Sequence, residues 1–278
     1  MRFREFLQLI GLGRGIRFYE THWMRLALAD DCFWTFPIWK NPKPNHDLPT
    51  DKEVNFYKKI LQKGEWAIDV GAHIGDSTVP LAIACGSEGG VIAFEPNPIT
   101  FHILSLNAIL NKKVGRILPV PLAVIPEDES SPDTLLDQFT FDYGDHWLSN
   151  GGDHHGISRW RHGSAYTIPV TATTLDKFLS ELFPHKRPKI AFIKLDCEGM
   201  DLAILAKLVR SFGDQQCAFQ WEVIDNEWSR EIIQKTFKDH EYQIYLKTTN
   251  HDLELFPAGG PTGNVINLIA THRKCKHH

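Results

Sequence analysis

Two carboxylates, Asp69 and Glu95, each stand at the end of an apolar run, and a pair of glycines follows the first of them. The runs are Trp66-Ala67-Ile68-Asp69-Val70 and Gly90-Val91-Ile92-Ala93-Phe94-Glu95. After the first, Gly71-Ala72-His73-Ile74-Gly75-Asp76-Ser77 carries glycines four apart. A strand that ends in such a loop and feeds a helix offers bare backbone and unpaired N–H groups to a ligand. The spacing is Gly-x-x-x-Gly, with an acid two residues ahead, not the Gly-x-Gly-x-x-Gly that cradles a dinucleotide pyrophosphate. An acid closing the next strand can accept hydrogen bonds from a ribose diol. The ligand implied has a ribose and an amino-acid or cationic part and no pyrophosphate, and S-adenosylmethionine fits that description. The alternative is a tight strand-to-helix turn that holds nothing.

The elements that must position these acids follow a regular series. Asp51 to Leu61 reads as a helix, Trp66 to Val70 as a strand, and Asp76 or Ser77 as the start of the next helix, with Pro80 in its first turn and Gly86 as its stop. After Glu95, Asn97 can cap a helix that Pro98 opens, and Ile99, Ile103, Leu106 and Leu110 repeat at helical spacing. Arg116 to Val124, Lys189 to Asp196 and Cys217 to Ile224 read as further strands. Thr174 caps a short helix, Leu202, Leu205 and Leu208 share the face of another, and Trp228 to Phe237 marks one more. Tyr242 to Lys247 and Asn264 to Ala270 read as an antiparallel pair closing one sheet edge. Strands alternating with helices imply a mostly parallel α/β sheet.

Two regions stand outside the series. In residues 1–50, Tyr19 to Leu28 reads as a helix, Cys32 to Trp39 alternates weakly and is dense in aromatics, and Asn41-Pro42-Lys43-Pro44-Asn45 is a turn or linker. An arm packed over a sheet face is preferred there to a substrate lid. Residues 126–165 read as a long loop rich in Asp, Ser, Gly and His, with an extra strand from Tyr166 to Thr171, so an insertion of about 126–170 interrupts a domain that runs from 51 to 278.

Bulk properties narrow the class. The 278 residues suit one large α/β domain with extensions, and 42% hydrophobic with 23% charged residues is ordinary for a soluble globular protein. A formal net charge of -4 does not favour a nucleic-acid face. Cys32, Cys85, Cys197, Cys217 and Cys275 lie far apart with no Cys-x-x-Cys, which speaks against a zinc knuckle or a redox pair and for a reducing, cytoplasmic setting. No run approaches ~20 apolar residues, so no membrane span is expected. The N-terminal segment is too short in apolar residues for a signal peptide. Association into a homo-oligomer is left open.

Three blocks together resemble the FkbM family of class I methyltransferases. They are Ile68-Asp69-Val70-Gly71-Ala72-His73-Ile74-Gly75 with Phe94-Glu95-Pro96-Asn97-Pro98 and Asn107, then Thr174-Leu175-Asp176, then Ile193-Lys194-Leu195-Asp196-Cys197-Glu198-Gly199-Met200-Asp201. The resemblance covers roughly residues 51–270, with His73 where the family more often has Asn. It implies a Rossmann-like fold with a mostly parallel seven-stranded sheet, helices on both faces and an antiparallel edge strand. It also implies S-adenosylmethionine as cofactor and methylation of a hydroxyl on a small acceptor, a sugar or secondary metabolite. Runner-up readings are an N-methyltransferase on the same fold and a nicotinamide-dependent oxidoreductase.

On that reading Asp69 meets the methionyl ammonium, Gly71 and Gly75 admit the ligand, and His73 and Thr78 line the loop. Glu95 takes the ribose hydroxyls, with Asn97 in the same block, and Ala123 beside Leu122 flanks the adenine. Alternation puts Lys194, Asp196 and Glu198 on one side of their strand. Asp196 is the first choice for general base or acceptor orientation and Glu198 the second, while Lys194 steers an acceptor oxygen. Glu222 closes the following strand on the acceptor side. In the insertion, His154, His155 and Trp160 are candidate acceptor contacts, near His146, Trp147, Asp153, His162 and Tyr166. The His and Asp spacing there matches no metal motif, and no metal is expected.

Overall fold

Strand β3 (Trp66–Val70) is where the fold is anchored: Ala67, Ile68, Asp69 and Val70 are all buried, as both faces of an interior parallel strand must be. The structure, a computed structural model, describes residues 20–28, 32–39, 48–126, 135–142, 153–154, 165–197, 201–223, 227–238, 240–256 and 266–272. On one side of β3 lie β4 (Gly90–Phe94) and β5 (Ile117–Val120), and on the other β10 (Ile190–Leu195) and β11 (Ala218–Val223), all parallel. β14 (Ile266–His272) joins β11 antiparallel, β12 (Tyr242–Lys247) joins β14, and β13 (Leu253–Leu255) finishes that edge. The main sheet thus has eight strands in the order β13-β12-β14-β11-β10-β3-β4-β5. The Rossmann-like α/β class holds. The expected antiparallel pair of 242–247 with 264–270 is present as β12 and β14, and the expected seven strands gain one short hairpin strand, β13, outside them.

Alternation along the strands divides the core between two helix layers. Ala67, Ala93, Phe192, Ala218 and Ile269 face helices α1 (Asp51–Lys58), α2 (Thr78–Cys85) and α3 (Pro98–Leu110). Ile68, Ile92, Ile193, Phe219 and Leu268 face α4 (Leu175–Leu182), α5 (Asp201–Phe212) and α6 (Glu227–Phe237). Side-chain caps start two of these helices: Thr50 accepts from the Glu53 amide at 3.2 Å and Thr174 from the Lys177 amide at 3.3 Å. Among the described residues no helix is long and apolar enough to cross a membrane.

The expected helix from Tyr19 to Leu28 is not one. Thr21–Leu28 is strand β1, paired antiparallel with β2 (Cys32–Trp39). The reason is tertiary: pairing lets β2 bury Trp34, Phe36 and Ile38 against the α1–α3 layer, which outweighs the modest helix preference of the β1 residues. The hairpin is fastened by α3. Asn111 Oδ1 accepts from the Thr35 amide and its Nδ2 donates to the Thr35 carbonyl, both at 2.8 Å, so a side-chain amide stands in for a neighbouring strand.

The stretch read as loop also carries strands, β7 (Leu135–Asp142) and β8 (Asp153–His154), and the strand expected over 166–171 is β9 (Ala165–Thr173); they form a second sheet in the order β6-β9-β7-β8, where β6 is Ala123–Val124. The single strand expected over 116–124 is divided into β5 and β6, because Pro121 has no N–H to continue the first ladder and the chain then pairs with β9.

Candidate functional site

Three polar residues lie side by side across the middle of the sheet: Gln220 on β11, Lys194 on β10 and Asp69 on β3 are register partners. All three are buried, on the face covered by α1 and α2. Lys194 Nζ donates to Asp196 Oδ2 at 3.0 Å and stands 3.6 Å from Asp69 Oδ1. The Thr78 hydroxyl donates to Asp69 Oδ2 at 2.7 Å, tying the first turn of α2 to the strand. On the other flank, the Tyr57 hydroxyl of α1 donates to Gln220 Oε1 at 3.2 Å. Burial pulls Lys194 down, but Asp196, Asp69 and Asp76 together raise it well above the usual lysine range and keep it charged. Burial pushes the Asp69 carboxyl up, and Lys194 and Thr78 hold it back.

Glu95, just past β4, is completely buried, and both its oxygens accept from the backbone. The His73 amide donates to Oε2 at 2.9 Å and the Asn97 amide to Oε1 at 2.8 Å. Asp69 is the register partner of Ala93, and Glu95 lies two residues beyond Ala93. The two acids therefore project from the same face at the tips of adjacent strands.

The loop between them is shaped by backbone needs. His73 has φ +50°, a left-handed conformation that His and Asn tolerate better than most residues. Its Nδ1 lies 3.7 Å from Asp76 Oδ1. Burial pushes Asp76 up, but the His73 hydrogen bond and charge and the charge of Lys194 outweigh it and hold the acid below its usual value. Gly71 has φ +79°, and a Cβ there would stand 1.9 Å from the Asp196 carbonyl oxygen. Its lack of a side chain lets β10 approach: the Asp196 amide donates to the Val70 carbonyl at 3.0 Å. Gly75 has φ +100° and faces Leu104 and Asn107 of α3. Asn107 Nδ2 in turn holds the Ile74 carbonyl at 2.8 Å, while its Oδ1 accepts from Trp34 Nε1 at 3.1 Å.

The expected residues therefore converge in one place. Asp69, Gly71, His73, Gly75, Thr78, Glu95, Asn97, Lys194 and Asp196 lie at the tips of β3, β4 and β10 or on the loops leaving them. The space beside each glycine is filled by the protein's own atoms, and Thr78 is directed at Asp69. Ala123 is buried in β6, opposite Ala172 of β9. Glu222 is half-buried, two residues beyond Gln220 on the same face of β11. Glu198, His155, Trp160, His146, Trp147 and His162 lie outside the described residues, as do the side chains of Asp153, His154 and Tyr166. Among the described residues no group of three or more His, Cys, Asp or Glu is placed to hold a metal ion.

Sequence reasoning passed over Tyr57 and Gln220. Gln220 had one usable signal, a polar residue inside the apolar run 217–224. Only the strand register shows that it stands beside Lys194.

The chain matches the model of the methyltransferase FkbM domain over residues 69–247, well over half its length. A methyltransferase of Sordaria araneosa, sdnD, is 22% identical over 182 residues, which is 60% of this chain and 66% of that protein, just under two thirds of the relative's length. Among solved structures, the methyltransferase FkbM of Methylobacillus flagellatus superposes with a TM-score of 0.43 at 14% identity, over 79% of this chain and 51% of that one. An O-methyltransferase of Bacillus cereus in complex with SAH gives a TM-score of 0.43 at 11% identity, over 82% and 84% of the two chains. From the extent of the domain match, with the strand-end acids and the glycine loop inside its limits, this chain is a member of the FkbM methyltransferase family.

Proposed function

We propose that this protein is an S-adenosylmethionine-dependent O-methyltransferase acting on a hydroxyl of a small acceptor. The observation that carries the reading is the pair Asp69 and Glu95, on one face at adjacent strand tips and joined through the loop whose His73 amide binds Glu95. Ligands of open α/β sheets bind at such carboxyl ends.

Glu95 takes the two ribose hydroxyls, with the Asn97 amide helping to fix its orientation and Ala123 beside the adenine. The loop 71–75 supplies backbone groups to the methionyl part, and Asp69 with Thr78 supports that loop from beneath. Asp196, positioned by Lys194, serves the acceptor side with Glu222, with Glu198 as the second candidate there, and the insertion residues His154, His155 and Trp160 are the candidate acceptor contacts. The bound cofactor supplies an activated methyl group. The protein's own contribution is alignment, which can supply up to ~7–11 kcal/mol, and removal of the acceptor proton.

Titration calorimetry with S-adenosylhomocysteine tests the cofactor assignment: saturable binding to one site is expected, and no heat with folded protein would count against it. Incubating a cell extract with labelled S-adenosylmethionine then tests the acceptor class. A product bearing the label on oxygen is expected, and a label on nitrogen would move the assignment to an amine acceptor.

A further inference from the structure

Lys247 ends β12 on the face of the sheet that carries Gln220 and Lys194: Tyr245, two residues before it, pairs with Ile269, which pairs with Gln220. Its ammonium lies over two buried rings of α1, 5.1 Å from the centre of Phe56 and 5.3 Å from that of Tyr57. Among the described residues Nζ has no carboxylate at ion-pair distance and no hydrogen-bond acceptor. Lys194 is the opposite case, spent on Asp69 and Asp196. That pairing also occupies Asp196, the first candidate for the base.

We propose that Lys247 is the proton acceptor for the acceptor hydroxyl, and that the faces of Phe56 and Tyr57 fix its amine at the acceptor side of the site. The inference rests on the methyl-transfer reading and adds a residue to it. Burial brings Lys247 from 10.5 to about 8, so the neutral amine is a populated minority form near physiological pH. The charged groups acting on it are Glu53 of α1 most strongly, then Lys194, Asp76 and Asp196, and His251 has its ring centre 6.1 Å from that of Phe56. In the step itself, the O–H proton moves to the Nζ lone pair. The oxygen forms its bond to the methyl carbon as the carbon–sulfur bond breaks, and that bond's electron pair stays on sulfur, which becomes a neutral thioether. The lysine ends as ammonium and returns its proton to solvent.

Two measurements test this. Trace acylation with acetic anhydride at a series of pH values, read per lysine by peptide mass spectrometry, gives the titration of Lys247 with no acceptor present. A midpoint of about 8 is expected, and a midpoint in the ordinary range near 10.4 would overturn the proposal. The second measurement compares Lys247→Arg and Lys247→Met with the parent for label transfer to the extract acceptor. Thermal melting and S-adenosylhomocysteine calorimetry serve as controls for folding and cofactor binding. Arg keeps the charge but cannot accept a proton, so both variants should lose roughly 10²–10⁴-fold in kcat while still binding S-adenosylhomocysteine. An active Arg variant would mean that Lys247 only anchors an anionic acceptor, and would refute the proton-transfer role. Absence of S-adenosylhomocysteine binding in the parent would instead be a failure of the underlying functional reading.

Discussion

Lys194 Nζ lies 3.6 Å from Asp69 Oδ1 and 3.0 Å from Asp196 Oδ2, so one buried ammonium ties together the tips of two neighbouring parallel strands. Asp69 is completely enclosed and Lys194 nearly so. Removing one member leaves an uncompensated buried charge, at a cost of about 3–5 kcal/mol. Lys194→Met should lower stability by that amount in urea melts. Lys194→Met combined with Asp69→Asn should recover much of it, and a double variant no better than the single one would show that the pair is not coupled.

The two loop glycines should differ in tolerance. Gly71→Ala drives a Cβ to 1.9 Å from the Asp196 carbonyl oxygen, whereas Gly75→Ala meets the flexible end of Leu104 at 3.2 Å. Both also carry positive φ, which costs a non-glycine residue roughly 1–3 kcal/mol. Gly71→Ala should therefore show the larger fall in melting temperature and the larger loss of S-adenosylhomocysteine affinity. Equal effects would mean that the close approach of β10 does not matter.

Asn107 links the N-terminal hairpin to the 71–75 loop through Trp34 Nε1 and the Ile74 carbonyl. Asn107→Leu orphans both groups, each at roughly 1–3 kcal/mol. It should also weaken S-adenosylhomocysteine binding, through the loop that the Ile74 bond holds. Trp34→Phe removes only the hairpin bond, and should lower stability with little change in affinity.

The outline of this site was legible because its signals are local. A carboxylate two residues before a glycine pair, and a second carboxylate closing the next apolar run, can be found without knowing which strands touch. What was hidden depends on register or on distant pairing. Gln220 comes to stand beside Lys194, and Lys247 on the same face, only because β11, β14 and β12 lie side by side in that order. The hairpin 21–39 was read in part as a helix because Trp23, Leu26 and Ala27 fall on one side of one, and only the pairing with Cys32–Trp39 makes the segment a strand. Gly71 was read as making room for a ligand, and its neighbour across the sheet, the Asp196 carbonyl, is 125 positions further along the chain by subtraction of residue numbers.

Lys247 makes stability depend on pH in a defined direction. Its folded value of about 8 lies below the usual 10.5. Between those limits the unfolded chain binds more protons than the folded one, so this residue's contribution rises with pH through that window. Lys247→Met lacks the effect. Its stability relative to the parent should be most favourable below pH of about 8 and should decline as pH approaches 10.5. Chemical melts of both proteins across that range check the sign.

Glu95 accepts from the amides of His73 and Asn97, and in Glu95→Gln one of those donors faces an NH2 group instead. Losing a charge-assisted bond costs about 1.5–3 kcal/mol, which corresponds to an affinity for S-adenosylhomocysteine weaker by roughly 10–100-fold. Calorimetry on the two proteins gives the ratio directly, and unchanged affinity would remove Glu95 from the cofactor site.

The most direct test is a crystal structure of the protein soaked with S-adenosylhomocysteine. The account predicts the nucleoside across the tips of β3 and β4, with both ribose hydroxyls donating to Glu95 while the His73 and Asn97 amides keep their bonds to it. A nucleoside bound elsewhere, or a diol that leaves Glu95 untouched, would contradict it.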